Sequence, residues 1–152
     1  MSKPSKTRFI RLIPAAAVMI LIFIHSAMPA DLSSAESGWL VDLLARLLHF
    51  AVSTDTLTLV VRKAAHFTEF LLLGMSLKWG LQSKHARPPQ PREYLSAFLI
   101  GTAYAVTDEI HQLFVPGRSC ELRDICIDML GVLTGMLFIY IREAARSKKK
   151  NP

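Results

Sequence analysis

Four long apolar stretches, at residues 9–28, 57–77, 94–115 and 125–141, alternate with segments crowded by polar and charged residues. Each approaches the ~20 mainly apolar residues that a helix needs to cross a hydrocarbon core of ~30 Å. The second and third also carry ionisable groups, which are costly at mid-helix unless they face away from lipid. Four transmembrane helices are therefore expected. Between the first and second, Asp42, Arg46 and His49 recur at i, i+4 and i+7 on an otherwise apolar run over residues 39–50. That period predicts an extra amphipathic helix in the first outer loop, lying in the interface or covering the bundle as a lid. The preceding DLSSAESG reads as a polar stretch. The segment QSKHARPPQPR reads as an extended, proline-rich connector, and PGRSCELRD as a tight turn.

Composition sharpens this picture. The chain has 152 residues, 51% of them hydrophobic, with a formal net charge of +6. Its mean hydropathy is +0.33. One domain over residues 9–143 with a basic tail over 144–152 accounts for the length. The first stretch follows a basic start (Lys3, Lys6, Arg8, Arg11), as a signal peptide would. Its apolar run is longer than a usual signal core and no clean small-x-small site follows, so it reads as a retained span.

Charge sets the orientation. Lys3, Lys6, Arg8 and Arg11 precede the first span. Lys78, Lys84, Arg87 and Arg92 lie between the second and third, and Arg142, Arg146, Lys148, Lys149 and Lys150 follow the fourth. Only Glu93 and Glu143 oppose them, leaving about +11 on that side and about −5 on the rest. The excess of Lys and Arg places these segments, and both termini, in the cytoplasm. Nucleic-acid binding is excluded as the reason for the basic charge, because the cations sit at membrane edges without interleaved aromatics; anionic lipid headgroups are the partner they fit. Cys120 and Cys126 read as two unpaired thiols.

The remaining ionisable residues gather toward the outer ends of the spans. Arg62, His66 and Glu69 share an arc of ~60° on the second span, with Lys63 beside them. On the third, Asp108, His111 and Gln112 share a face, flanked by Glu109. On the fourth, Asp124 and Asp128 run in line with Gly131 and Gly135. His66 and Glu69 should lie roughly 14–18 Å below the outer start of their span, and Asp108 roughly 10 Å. Each unpaired charge at that depth costs at least ~2.5 kcal/mol, so these groups must converge inside the bundle around a cavity open to the outside. A single polar core at one side of the bilayer is the expectation. Gly131-x-x-x-Gly135 lets the fourth span approach a neighbour closely.

These residues carry a resemblance. Arg62-Lys63-Ala64-Ala65-His66-Phe67-Thr68-Glu69-Phe70 resembles the RKxxHFxEY segment of the VanZ family. Asp108-Glu109-Ile110-His111-Gln112, followed by Pro116-Gly117-Arg118, is similar to its DExHQ…PGR segment. Asp124-x-x-x-Asp128-x-x-Gly131-x-x-x-Gly135 is similar to its DxxxNxxGxxxG ending, and His25-Ser26-Ala27-Met28-Pro29 to its serine–proline exit from the first span. The likeness covers roughly residues 15–140. Phe70 stands where Tyr is common, and Asp128 where Asn is common. The resemblance implies an all-α protein of the bacterial cytoplasmic membrane, whose namesake is an accessory factor in resistance to the glycopeptide teicoplanin. It implies no established reaction.

Three functions fit the residues. A binding site for an amphipathic envelope molecule (a lipid-linked cell-wall precursor, a phospholipid or a glycopeptide) would use Arg62, Lys63 and Arg118 on phosphate or carboxylate, with Gln112, Asp124 and Asp128 completing the site. An enzyme acting on such a molecule would use His66 with Glu69, and His111 with Asp108, as base–orienter pairs, with Glu109 beside them. In a metal-dependent variant His66, Glu69, Asp108, His111 and Asp124 could ligate Zn²⁺ or Mn²⁺, although no strong metal signature such as HExxH is present and no metal site is assigned. A non-catalytic membrane partner protein would use the whole cluster as a salt-bridge network.

Overall fold

Ser53 and Pro91 mark where two of the central helices begin. Ser53 is extended, and its hydroxyl accepts the Thr56 N–H at 3.3 Å, the usual N-cap arrangement. Pro91 occupies the first turn of its helix, where a missing N–H costs nothing. The computed structural model describes residues 6–47, 53–82 and 90–148. Those residues form α1 (Lys6–Ser26), α2 (Ala30–Leu47), α3 (Thr54–Leu81), α4 (Pro91–Gln112) and α5 (Leu122–Lys148), and no strand occurs among them. α3 is the central helix, packed on α1, α2, α4 and α5.

The windows Phe9–Ser26 and Leu122–Arg146 are long and apolar enough to cross a membrane. The other two expected spans are present as helices of 28 and 22 residues, but their hydropathy is lowered by charge. Those charges point inward: Glu69 and Lys78 of α3, and Glu93, Asp108 and Glu109 of α4, are all buried.

α2 is longer than expected. It starts at Ala30, so the polar DLSSAESG stretch is helical. Its serines bond back to the preceding turn, Ser34 Oγ to Ala30 O at 2.7 Å and Ser37 Oγ to Ser33 O at 3.0 Å, which satisfies the hydroxyls without leaving the helix. Val41 packs on Leu57 and Val61 of α3, while Asp42 and Arg46 are exposed. His49, and residues 83–89 of the expected connector, lie outside the described residues.

The closest seam joins α3 to α5. A Cβ on Gly131 would stand 2.6 Å from the Phe67 carbonyl oxygen. One on Gly135 would stand 2.9 Å from the Leu71-side amide of Met75, with the Leu71 oxygen nearer still. Gly74 of α3 meets the Val132 backbone in the same way. The neighbour of the expected glycine pair is thus α3, which supplies a third small residue to the contact.

A single polar core is not what forms. At the bundle end away from the 113–121 turn, Lys78 is fully buried and donates to Glu93 Oε2 (3.3 Å) and Glu143 Oε1 (3.2 Å). Its ammonium lies 4.4 Å from the centre of the Tyr94 ring, whose hydroxyl donates to Glu143 at 2.8 Å. Lys78 therefore belongs to the helix interior, not to the connector. It is drawn in because two carboxylates and an aromatic face replace its water. Arg11 of α1 closes the same end, donating to the Gln82 carbonyl at 2.9 Å beside the Trp79 ring.

Candidate functional site

The turn between α4 and α5 builds the mouth of the site. Arg118 N–H donates to Val115 O at 3.1 Å, with Pro116 second in the turn and Gly117 third at φ 74°. A left-handed third position is what glycine supplies in a type II turn. The turn is then fastened to the junction of α1 and α2: the Ala30 N–H donates to Pro116 O, and Arg118 donates to Met28 O (3.0 Å) and His25 O (3.1 Å). Arg118 thus adds side-chain bonds to two carbonyls at and just after the C-terminus of α1. Its Nε and one Nη2 hydrogen are committed to backbone carbonyls. Arg123, in the first turn of α5, is exposed and paired with Glu121 at 2.8 Å. That bond, with one from Ser119, holds the Glu121 carboxyl below its usual pKa.

Behind the turn lies a cavity of about 30 Å³, room for one or two waters. All six residues assigned to binding line it, namely Arg62, Lys63, Gln112, Arg118, Asp124 and Asp128, and His66 joins them. Lys63 of α3 and Asp124 of α5 form an ion pair across the seam. Arg62 makes no ion pair among the described residues. Asp128 is fully buried, and neither carboxylate oxygen accepts a hydrogen bond. The nearest cationic candidate is His66, whose Nδ1 stands 3.9 Å from Asp128 Oδ1 and is itself buried without a partner.

The base–orienter pairs expected from spacing are not formed. Glu69 turns to α1 and bonds His25 Nδ1, while His66 turns to α5 and faces Asp128. The ~60° between positions three apart is enough to aim two side chains at different neighbouring helices. Asp108 is likewise not paired with His111. Its carboxylate accepts Ser26 Oγ (2.6 Å) and Gln112 Nε2 (3.0 Å). The His111 ring stacks on Phe23, centroids 4.6 Å apart, and its Nδ1 is buried without a hydrogen bond. Glu109, 1% exposed, accepts the Glu121 N–H at 2.9 Å and so fixes the start of α5.

His66, Asp108 and Asp128 come together, one ligand-type atom from each lying within 4.8 Å of the others. The ligand set expected for a metal-dependent variant is therefore redrawn. Asp128 enters it, whereas Glu69 and Asp124 are bonded to His25 and Lys63, and His111 lies against Phe23. Spacing analysis also overlooked the contribution of α1. His25 and Ser26 reach Glu69 and Asp108; in the chain they stood out as a polar pair ending an apolar run and as part of the segment His25–Pro29 that shares in the family resemblance.

No curated protein and no solved structure matches the chain. A family model described as VanZ/LLP1 matches residues 11–143, a range that takes in α3, α4, the turn above the site and most of α1 and α5. The chain belongs to the VanZ/LLP1 family, as the motifs on α3, α4 and α5 led one to expect.

Proposed function

We propose that this is a multi-pass protein of the bacterial cytoplasmic membrane, with α1, α3, α4 and α5 as its spans and both termini in the cytoplasm. The cavity opens to the extracytoplasmic side and receives the anionic headgroup of an amphipathic envelope molecule, a lipid-linked cell-wall precursor or a glycopeptide, on which its acid–base groups act. Large apolar side chains exposed on all four helices support the spans, among them Phe9, Ile13 and Ile20 of α1, Leu72 of α3, Leu99 of α4 and Leu137 of α5. A belt of this size needs lipid or another protein to cover it. α2, with Trp39, Asp42, Leu43 and Arg46 on one exposed face, suits the outer interface. A part in glycopeptide resistance belongs to this reading, and the resemblance of the motifs to the VanZ family supports it.

One observation carries the reading. The cavity combines an arginine without a carboxylate partner, Arg62, with a fully buried carboxylate without a donor, Asp128. A network built only to hold helices would pair Asp128, since uncompensated buried charge is the costly case. Phosphate or carboxylate on Arg62 and a proton-handling group at Asp128 give each a use. Lipid mass spectrometry of the purified protein tests this. An anionic amphipath should co-purify with wild type and be lost from Arg62→Gln; a lipid profile identical in both would overturn the reading.

A second reading, a non-catalytic partner protein with a structural polar cluster, is favoured by the Lys63–Asp124 pair and the Arg118 bonds to α1. On that reading, loss of function would track loss of folding at every position of the cluster.

A further inference from the structure

We infer that His66, Asp108 and Asp128 form a binding site for one divalent cation, of the Mn²⁺ or Zn²⁺ kind. One imidazole and two carboxylates come from three different helices, with ligand atoms within 4.8 Å of one another. One nitrogen and two oxygens suit first-row divalent ions, and three protein ligands leave a coordination position open. The cavity that Asp128 and His66 line adjoins the cluster and has room for water on that position.

The second support is independent of this spacing. Asp128 is fully buried, with both oxygens lacking any donor, and the buried Nδ1 of His66 is in the same state. Buried polar atoms nearly always have partners, and a carboxylate without one points to an ion. Asp108 is prepared differently. Its oxygens accept Ser26 and Gln112, and each keeps a second lone pair for a metal. Such outer bonds commonly fix the orientation of ligating carboxylates.

Charge agrees. With Arg123 out at the surface, the cations of the cluster are Arg62, Lys63 and Arg118. They face Glu69, Asp108, Glu109, Asp124 and Asp128, an excess of two acids over the three cations. One divalent cation removes that excess, and it would sit where the unpartnered oxygens are. The inference deepens the headgroup site proposed above and rests on it for the purpose of the ion, which would offer its open position to a phosphate or carboxylate oxygen.

Binding can be measured without any lipid. Chelator-stripped, detergent-solubilised full-length protein is titrated with Mn²⁺ and followed by electron paramagnetic resonance, and with Zn²⁺ by calorimetry. Wild type should bind one equivalent of at least one of these ions. The near-isosteric Asp128→Asn and the His66→Ala variant should each weaken that binding 10- to 100-fold. Glu121→Gln, at the exposed turn, should bind as wild type does. Absence of stoichiometric binding by wild type would mean that protons supply the missing charge, and it ends the proposal. Wild-type affinity in both Asp128→Asn and His66→Ala also ends it, by placing the ion elsewhere. Ion binding with no co-purifying amphipath would leave the cation site standing and remove the headgroup reading, so the two fail separately.

Discussion

Asp128 on α5 faces His66 on α3 across 3.9 Å, and no hydrogen-bond donor reaches either oxygen of its carboxylate. Every other carboxylate of this end is engaged: Glu69 by His25, Asp108 by Ser26 and Gln112, Glu109 by the Glu121 amide, Asp124 by Lys63. The bundle thus commits its donors to four acids and leaves the most buried one unserved. A group kept in that state costs stability unless something binds it.

Asp128→Asn should therefore stabilise the ligand-free protein while impairing its function. Replacing an unpartnered buried carboxylate by a neutral amide should raise the thermal midpoint of the purified, chelated protein, a gain of about 1–3 kcal/mol. Thermal unfolding in detergent checks the sign. A lower midpoint with chelator present would mean that Asp128 has a partner in the native membrane protein.

Gly135→Val should break the α3–α5 seam. The added atoms would run into the backbone of Leu71 and Met75, which cannot rotate aside as a side chain could. Overpacking typically costs ~1–3 kcal/mol, and a backbone clash at the main contact of the bundle belongs at the upper end. Yield of folded protein in membranes and its thermal midpoint should both fall. The same change at the open Gly38, where a Cβ meets nothing within 4 Å, should cost far less.

Lys78→Met should be severe, because it leaves Glu93 and Glu143 facing one another without their buried cation. Removing one partner of such a group costs about 3–5 kcal/mol. Adding Glu143→Gln to Lys78→Met should recover part of the loss, and a double-mutant cycle by thermal unfolding measures the coupling. Additive effects would show that the cluster is not a unit.

The orientation can be read from thiols. Cys120 and Cys126 are both exposed and unbridged. In a Cys126→Ser background, a membrane-impermeant maleimide should label Cys120 on intact spheroplasts. A cysteine introduced at exposed Ala145 of α5 should react only after permeabilisation. The reverse pattern would invert the proposed topology.

The chain by itself determined that there would be long helices, that charged residues on three of them would turn inward, and that Gly131 and Gly135 would mark a close approach. Periodicity and the cost of charge in an apolar surrounding decide such matters locally, one helix at a time. It also carried the ordered motifs that identify the family. Only the tertiary structure decided who meets whom. A helical stripe gives each side chain a direction around its own axis but not the helix that lies there. His66 and Glu69 therefore share a stripe yet end on Asp128 and His25. The same holds for Lys78, which local sequence placed at a connector and packing placed inside. Partner choice depends on contacts between residues far apart in the chain, and here it turned an expected row of acid–base pairs into one buried, unpartnered carboxylate.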